Sequence, residues 1–201
     1  LYTDGHAHIQ PDINKAIKYL TLAADQNSPD AQLNLGIIYY EGQYIAQNIN
    51  KSIKYFTLAA DQNVPHAQLN LGIIYYKGQY IAQNINKSIK YFTLAADQNI
   101  VEAQYNLGVI YIEGKYVPKN VEKAIHYFSL SANRNRKESQ FNLGVIYYKG
   151  QYVKRNINMA IKYLMLSANQ NFSPSFYVLG LIYHESEYGI KDINKAIHYI
   201  Y

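Results

Sequence analysis

Four asparagines stand 36 residues apart, at Asn34, Asn70, Asn106 and Asn142, and Val178 takes the fifth place in the series. A carboxamide offers both a donor and an acceptor, so a ladder of them can hold the backbone of an extended peptide without reading its sequence. The competing use is structural, each Asn tying neighbouring elements together, and the sequence leaves the two uses level. Four residues before each Asn the side chain varies, as Asp30, His66, Glu102 and Glu138, while the frame around it hardly changes. Variable positions beside a constant ladder are where specificity for a partner would be set. Three residues after each Asn comes an aliphatic, Ile37, Ile73, Val109 and Val145, and one residue before it come Leu33, Leu69, Tyr105 and Phe141. Exposed, these rows would form an apolar protein-binding groove; buried, they would pack one element on the next.

Catalysis needs unlike groups converging on one point. The six histidines do not converge. His126 and His198 take a repeat position held elsewhere by Lys18, Lys54, Lys90 and Lys162, and His66 and His184 fall in other frames. His6 and His8 form an H-x-H pair that could ligate a metal, but no third ligand recurs nearby. No phosphate-binding loop, nucleophile elbow or dinucleotide fingerprint is present. With no Cys there is no disulfide framework, thiolate metal site or cysteine nucleophile. The expectation is a segment with no catalytic residue, no metal, no cofactor and no small-molecule substrate. The sequons at Asn50, Asn86 and Asn171 say almost nothing about secretion in so Asn-rich a chain. No compartment is readable from the sequence.

Charge adds one feature. The net charge of +5 lies in the second half, chiefly where Arg134, Arg136, Lys137, Lys149, Lys154, Arg155 and Lys162 face Glu138. No Arg-Gly or aromatic-interleaved motif accompanies that patch, so a nucleic-acid partner is not expected. About half of the 201 residues are hydrophobic and 16% are charged, enough to bury a core. No apolar run approaches the ~18 residues of a membrane span. The start at Leu1 reads as the start of a fragment, with targeting signals elsewhere.

The elements that must position these rows come from a repeat. Residues 31–63 recur at 67–99 with one difference, Glu41 becoming Lys77, and looser copies follow at 103–135 and 139–171. The expected division is one repeat array over 1–201: a truncated copy at 1–28, full copies at 29–64, 65–100, 101–136 and 137–172, and a truncated copy at 173–201. Each copy reads as two helices. In the first, Ala31, Leu35, Ile38 and Tyr39 recur at helical spacing, and Gly36 leaves room for a close backbone. Gly42, Gly78, Gly114 and Gly150 suit left-handed C-caps. The second helix opens at Asp12, Asn48, Asn84, Asn120, Asn156 or Asp192, all good N-caps. Its apolar stripe is Ile49, Ile53, Phe56, Ala59 and Ala60 with Ser52, and Asn63 closes it. Pro29, Pro65 and Pro174 fit first turns. A lysine stripe (Lys15, Lys51, Lys87, Lys123, Lys195) reads as a solvated face, and the row Glu41, Lys77, Glu113, Lys149, Glu185 could pair across copies. One such hairpin cannot bury its stripes alone, so neighbours must stack. An all-α, α/α solenoid of 36-residue helix-turn-helix repeats is expected.

The pattern A-x-x-N-L-G-x-x-Y-x-x-G followed by N/D-x-x-K-A/S-x-x-Y-F-x-x-A-A resembles the Sel-one-like repeat family, relatives of the tetratricopeptide repeat. Tyr39 to Ser52 spans 13 positions, matching the longer inter-helix loop of that type. Tyr44, Tyr80, Tyr116, Tyr152 and Tyr188 replace the family's second loop glycine. The resemblance implies about eleven helices in a right-handed superhelix whose first helices line a concave face. It also implies a non-catalytic scaffold or adaptor that binds a protein or peptide partner there. The other reading is a regulatory or substrate-docking arm of a larger enzyme, such as a kinase, with the catalytic domain outside this segment.

Overall fold

The computed structural model describes residues 12–184, and the regular structure there is helical throughout, with no strand among the described residues. Ten helices follow in chain order: α1 (Ile13–Asp25), α2 (Pro29–Glu41), α3 (Ile49–Asp61), α4 (Pro65–Lys77) and α5 (Ile85–Asp97), then α6 (Val101–Glu113), α7 (Val121–Ala132), α8 (Lys137–Lys149), α9 (Ile157–Ala168) and α10 (Ser173–His184). The last expected helix, with Asp192 and Lys195, lies outside the described residues, as does the His6 and His8 pair. Two compact units divide at α5, residues 1–91 and 92–201.

The helix boundaries follow from local chemistry. At each second helix a cap residue turns its side-chain oxygen onto a free N–H of the first turn. Asp12 accepts from the Lys15 amide at 3.0 Å, Asn48 from Lys51 at 3.0 Å, Asn84 from Lys87 at 2.9 Å, Asn120 from Lys123 at 2.9 Å and Asn156 from Met159 at 3.0 Å. The backbone and side-chain bonds from Lys15 hold the Asp12 carboxyl below its ordinary range. First helices end at a left-handed residue, Gly42 with φ 65° being typical. A β-carbon there would also strike Gln47. Asn27, Asn63, Asn99, Asn135 and Asn171 take the same region after the second helices, with φ from 56° to 66°. Asn tolerates it because its short side chain can bond locally.

In the first unit the core gathers Phe56, Ala59, Ala60, Ala67, Leu71 and Ile74, with Leu33, Ile37 and Tyr40 half-buried against it; Ala24, Ala31 and Leu35 form a second cluster. In the second unit Ala124, Phe128, Ala132 and Leu143 form one cluster and Ala160, Leu164, Ala168, Leu179 and Ile182 another. Sequential helices pack as hairpins, α2 on α3, α6 on α7 and α8 on α9. Each hairpin closes on a missing side chain. A β-carbon at Gly36 would overlap the Phe56 ring, and one at Gly108 the Phe128 ring. The space at Gly36 therefore admits an aromatic ring, where the sequence suggested a backbone. Ser52 Oγ, fully buried, adds a bond to the Gly36 carbonyl at 2.8 Å.

Candidate functional site

On a 3.6-residue helix, positions i, i+4, i+7 and i+11 share a face. That spacing places Asp30, Asn34, Ile37 and Glu41 along α2 and His66, Asn70, Ile73 and Lys77 along α4. In the second unit it places Glu102, Asn106, Val109 and Glu113 along α6 and Glu138, Asn142, Val145 and Lys149 along α8. Apart from Glu138, the ends of the stripes are open to solvent: Asp30, His66, Glu102, Glu41, Lys77, Glu113 and Lys149 are exposed. Asn34 is exposed too, and Asn70, Asn106 and Asn142 are half-buried. Ile37, Ile73, Val109 and Val145 are half-buried, and Ile37 and Val109 lean on the core clusters of their own units. The other apolar row is mixed, since Leu69 is buried while Tyr177 is exposed.

Two carboxamide rows occupy the first helices, and they behave differently. Two residues before each Asn stands a Gln that is almost fully buried: Gln32, Gln68, Gln104 and Gln140. Gln32 Nε2 donates to the Ala24 carbonyl at 3.3 Å and to Asn27 Oδ1 at 3.2 Å. Gln62 Nε2 closes the set on Gln32 Oε1 at 2.7 Å and on Asn27 Oδ1 at 3.1 Å. In the second unit Asn135, Gln140 and Gln170 repeat the arrangement. This is the structural tie between copies. The side chains of Asn34, Asn70 and Asn106 make no hydrogen bond among the described residues, whereas Asn142 bonds the Tyr105 hydroxyl. Periodicity made both rows visible, but burial separates them, and the sequence signal for the Gln row is its companion Gln-Asn pair at 26–27, 62–63, 98–99 and 170–171.

The electrostatics of α8 differ from those of its counterparts. Glu138 lies 3.3 Å from Arg136, whose guanidinium rests 4.3 Å from the centre of the Tyr105 ring. Arg136 Nε is buried and is not aimed at the carboxylate, so it makes no hydrogen bond. Burial pushes the Tyr105 phenol up, and the neighbouring Arg136 charge opposes that rise. Glu138 is thus half-buried beside a cation, unlike Asp30, His66 and Glu102. Among the described residues neither Glu41 with Lys77 nor Glu113 with Lys149 forms an ion pair; Glu185 lies outside the described residues. Long side chains at exposed helix ends gain about 0–1 kcal/mol from such contacts, which does not order them.

The lysine stripe is more than a solvated face. Tyr39 stacks on Tyr55 with ring centres 5.9 Å apart, and Tyr75 on Tyr91, Tyr111 on Tyr127 and Tyr147 on Tyr163 do the same at 6.0 Å. Lys51, Lys87 and Lys123 lie over Tyr39, Tyr75 and Tyr111 at 4.9, 5.0 and 5.0 Å. Met159 takes that place in the next copy. Burial raises the Tyr55, Tyr91, Tyr127 and Tyr163 phenols, with the stacked partner adding to each shift. His126 meets Tyr127 edge-on at 5.1 Å. Among the described residues no group of three acidic or histidine side chains is placed to hold a metal, and no helix is long and apolar enough to cross a membrane.

A recess lies in the second unit. It is lined by Ile112, Lys119, Val145, Ile146, Lys149, Gln151 and Tyr152 and has a volume of about 210 Å³. Lys119 Nζ donates to the Tyr152 hydroxyl at 3.1 Å and lies 4.7 Å from its ring centre. Sequence reasoning passed over this place, although two breaks in the repeat mark it: Ile112 stands where Tyr40, Tyr76 and Tyr148 stand, and Lys119 where Gln47 and Gln83 stand.

The repeat has relatives. The family model of the Sel1 repeat matches residues 1–28, 29–64, 65–100, 101–135, 137–172 and 177–201. Among solved structures, the chain is similar to a protective antigen of uropathogenic Escherichia coli strains that displays an SLR fold. That match has 29% identity and a TM-score of 0.79, and covers 84% of this chain and 36% of the antigen. The chain therefore spans about a third of that relative's length. A Sel1 repeat protein from Oxalobacter formigenes is 30% identical with a TM-score of 0.77, over 94% of this chain and 77% of that one. Helicobacter pylori cysteine rich protein B is 26% identical with a TM-score of 0.51, over 69% of this chain and 99% of its own. No curated protein matches.

Proposed function

This chain belongs to the Sel1 repeat family, and from that premise we propose that it holds an extended segment of a partner protein along its first helices. Sel1 repeat proteins are generally protein-interaction scaffolds. The observation that carries the finer reading is the contrast between the two carboxamide rows: the Gln row is buried and bonded within the protein, whereas Asn34, Asn70 and Asn106 keep their donors and acceptors unused among the described residues. These would take the backbone of the segment, and Asp30, His66 and Glu102 beside them would read its side chains. Ile37, Ile73, Val109 and Val145 supply half-buried apolar ground between. Asn142 and Glu138 contribute less, because Tyr105 and Arg136 already engage them. No catalytic role is part of this reading.

Once a partner has been captured, Asn70→Ala combined with Asn106→Ala tests it. Each lost hydrogen bond is worth roughly 0.5–1.5 kcal/mol, so the pair is expected to weaken binding about tenfold. The melting curve should hardly move, since neither carboxamide bonds another of the described residues. Normal binding with early melting would assign the Asn row to the structure.

A further inference from the structure

We propose that the recess between Ile112 and Tyr152 takes the C-terminal residue of a partner chain, an apolar side chain carrying a free carboxylate. The inference rests on the protein-binding reading of the same helices and adds the chemical identity of one contact. Its size sets the first limit. Pockets for drug-sized molecules occupy roughly 300–1,000 Å³, and about 210 Å³ suits one large side chain. Its walls set the second, because Ile112, Val145 and Ile146 supply an aliphatic floor.

The recess exists because of a substitution. In the first unit the residue equivalent to Ile112 is Tyr40, half-buried against the cluster that contains Ile74, the counterpart of Ile146. Gln47, the counterpart of Lys119, bonds the Tyr40 carbonyl at 2.6 Å. In the second unit the ring is gone and a lysine replaces the amide. The second lining charge, Lys149, is exposed and makes no ion pair or hydrogen bond among the described residues. One carboxylate, Glu113, adjoins Ile112 in sequence; Lys119 and Lys149 outnumber it at the lining itself.

Two ammoniums at the edge of a one-residue pocket require the anion to belong to the residue whose side chain fills it. In an extended segment neighbouring side chains point to opposite faces, so an adjacent Asp or Glu cannot reach the same rim. An α-carboxylate can. Lys119 keeps donors beyond the one given to Tyr152, because an ammonium has three.

The test uses ¹⁵N-labelled protein of the full 201 residues and pentapeptide probes: one ending in leucine with a free carboxylate, its C-terminal amide, one ending in alanine with a free carboxylate, and an amidated peptide with an internal Leu-Glu pair. The leucine carboxylate is expected to give saturable shifts at Val145, Ile146, Lys149 and Tyr152, with the other probes at least about tenfold weaker. Lys149→Ala should cost a similar factor, and Ile112→Tyr should abolish the shifts by refilling the recess. Lys18→Ala, at an exposed position on α1, should leave them unchanged, and the absence of shifts at Asn70 separates this site from the Asn row. Equal shifts with the amide or the internal pair, shifts surviving Ile112→Tyr in a folded protein, or no saturable shift at millimolar peptide would each overturn the proposal.

Discussion

At the scale of single residues, a polar atom's neighbours decide whether it stabilises or costs. The Asn–Gln–Gln tie is complete at Asn27, Gln32 and Gln62 and again at Asn135, Gln140 and Gln170, but between them Arg134 replaces the third member. Gln104 Oε1 is left buried without a hydrogen bond. An unsatisfied buried acceptor costs about 1–3 kcal/mol, so Arg134→Gln is expected to stabilise the protein by about 1 kcal/mol. Denaturant melts of the two forms would check this, and an unchanged or lower midpoint would contradict it. Gly36→Ala should act in the opposite direction. The new methyl enters the Phe56 ring, and overpacking of this kind costs about 1–3 kcal/mol. Asn142→Ala should lower the melting midpoint slightly through the Tyr105 bond, whereas Asn34→Ala should not.

At the scale of elements, the helix ends were legible in the sequence because their signals are local. Asp12, Asn48, Asn120 and Asn156 cap the helices they precede, and Gly42 and Asn27 end theirs, whatever the rest of the chain does. The inward face of the first helices was not legible. Leu33, Leu35, Ile37 and Ile38 surround α2, so no single stripe announces the core, and a buried Gln recurs as regularly as a bondable Asn. The recess was hidden for another reason: it depends on two substitutions that a search for recurrence treats as noise. The stacked tyrosines join the two helices of each hairpin and carry a pH dependence. Below the ordinary phenol value of 10.0 both folded and unfolded chains keep the proton. Above it the unfolded chain loses protons that the raised folded-state phenols retain, so stability falls as pH climbs from there through the folded values. Unfolding free energy measured at about pH 8 and about pH 11 should show this loss, and Tyr163→Phe should make the decline shallower. A slope unaffected by the substitution would remove the Tyr147–Tyr163 pair as a cause.

At the scale of the whole molecule, ties run between neighbouring copies at a constant reach. Gln62 bonds Asn27 and Gln170 bonds Asn135, 35 residues apart in both cases. Stability in such an array is approximately a sum of copies and nearest-neighbour interfaces. Excising residues 64–99, which joins Asn63 to Ile100 in the same frame, should therefore leave a helical protein with one cooperative transition and a lower midpoint. Circular dichroism would show helicity per residue preserved; a collapse of helicity would mean that the copies are not interchangeable. The near identity of residues 31–63 and 67–99 has a consequence for inheritance. Where the coding stretches match as closely as their products, misaligned recombination removes or adds a copy in one event, and the frame of caps and carboxamides survives it. Array length then becomes a heritable quantity, and a lineage can lengthen or shorten its surface by duplication and loss, keeping rare departures such as Ile112 as landmarks that distinguish one copy from the next.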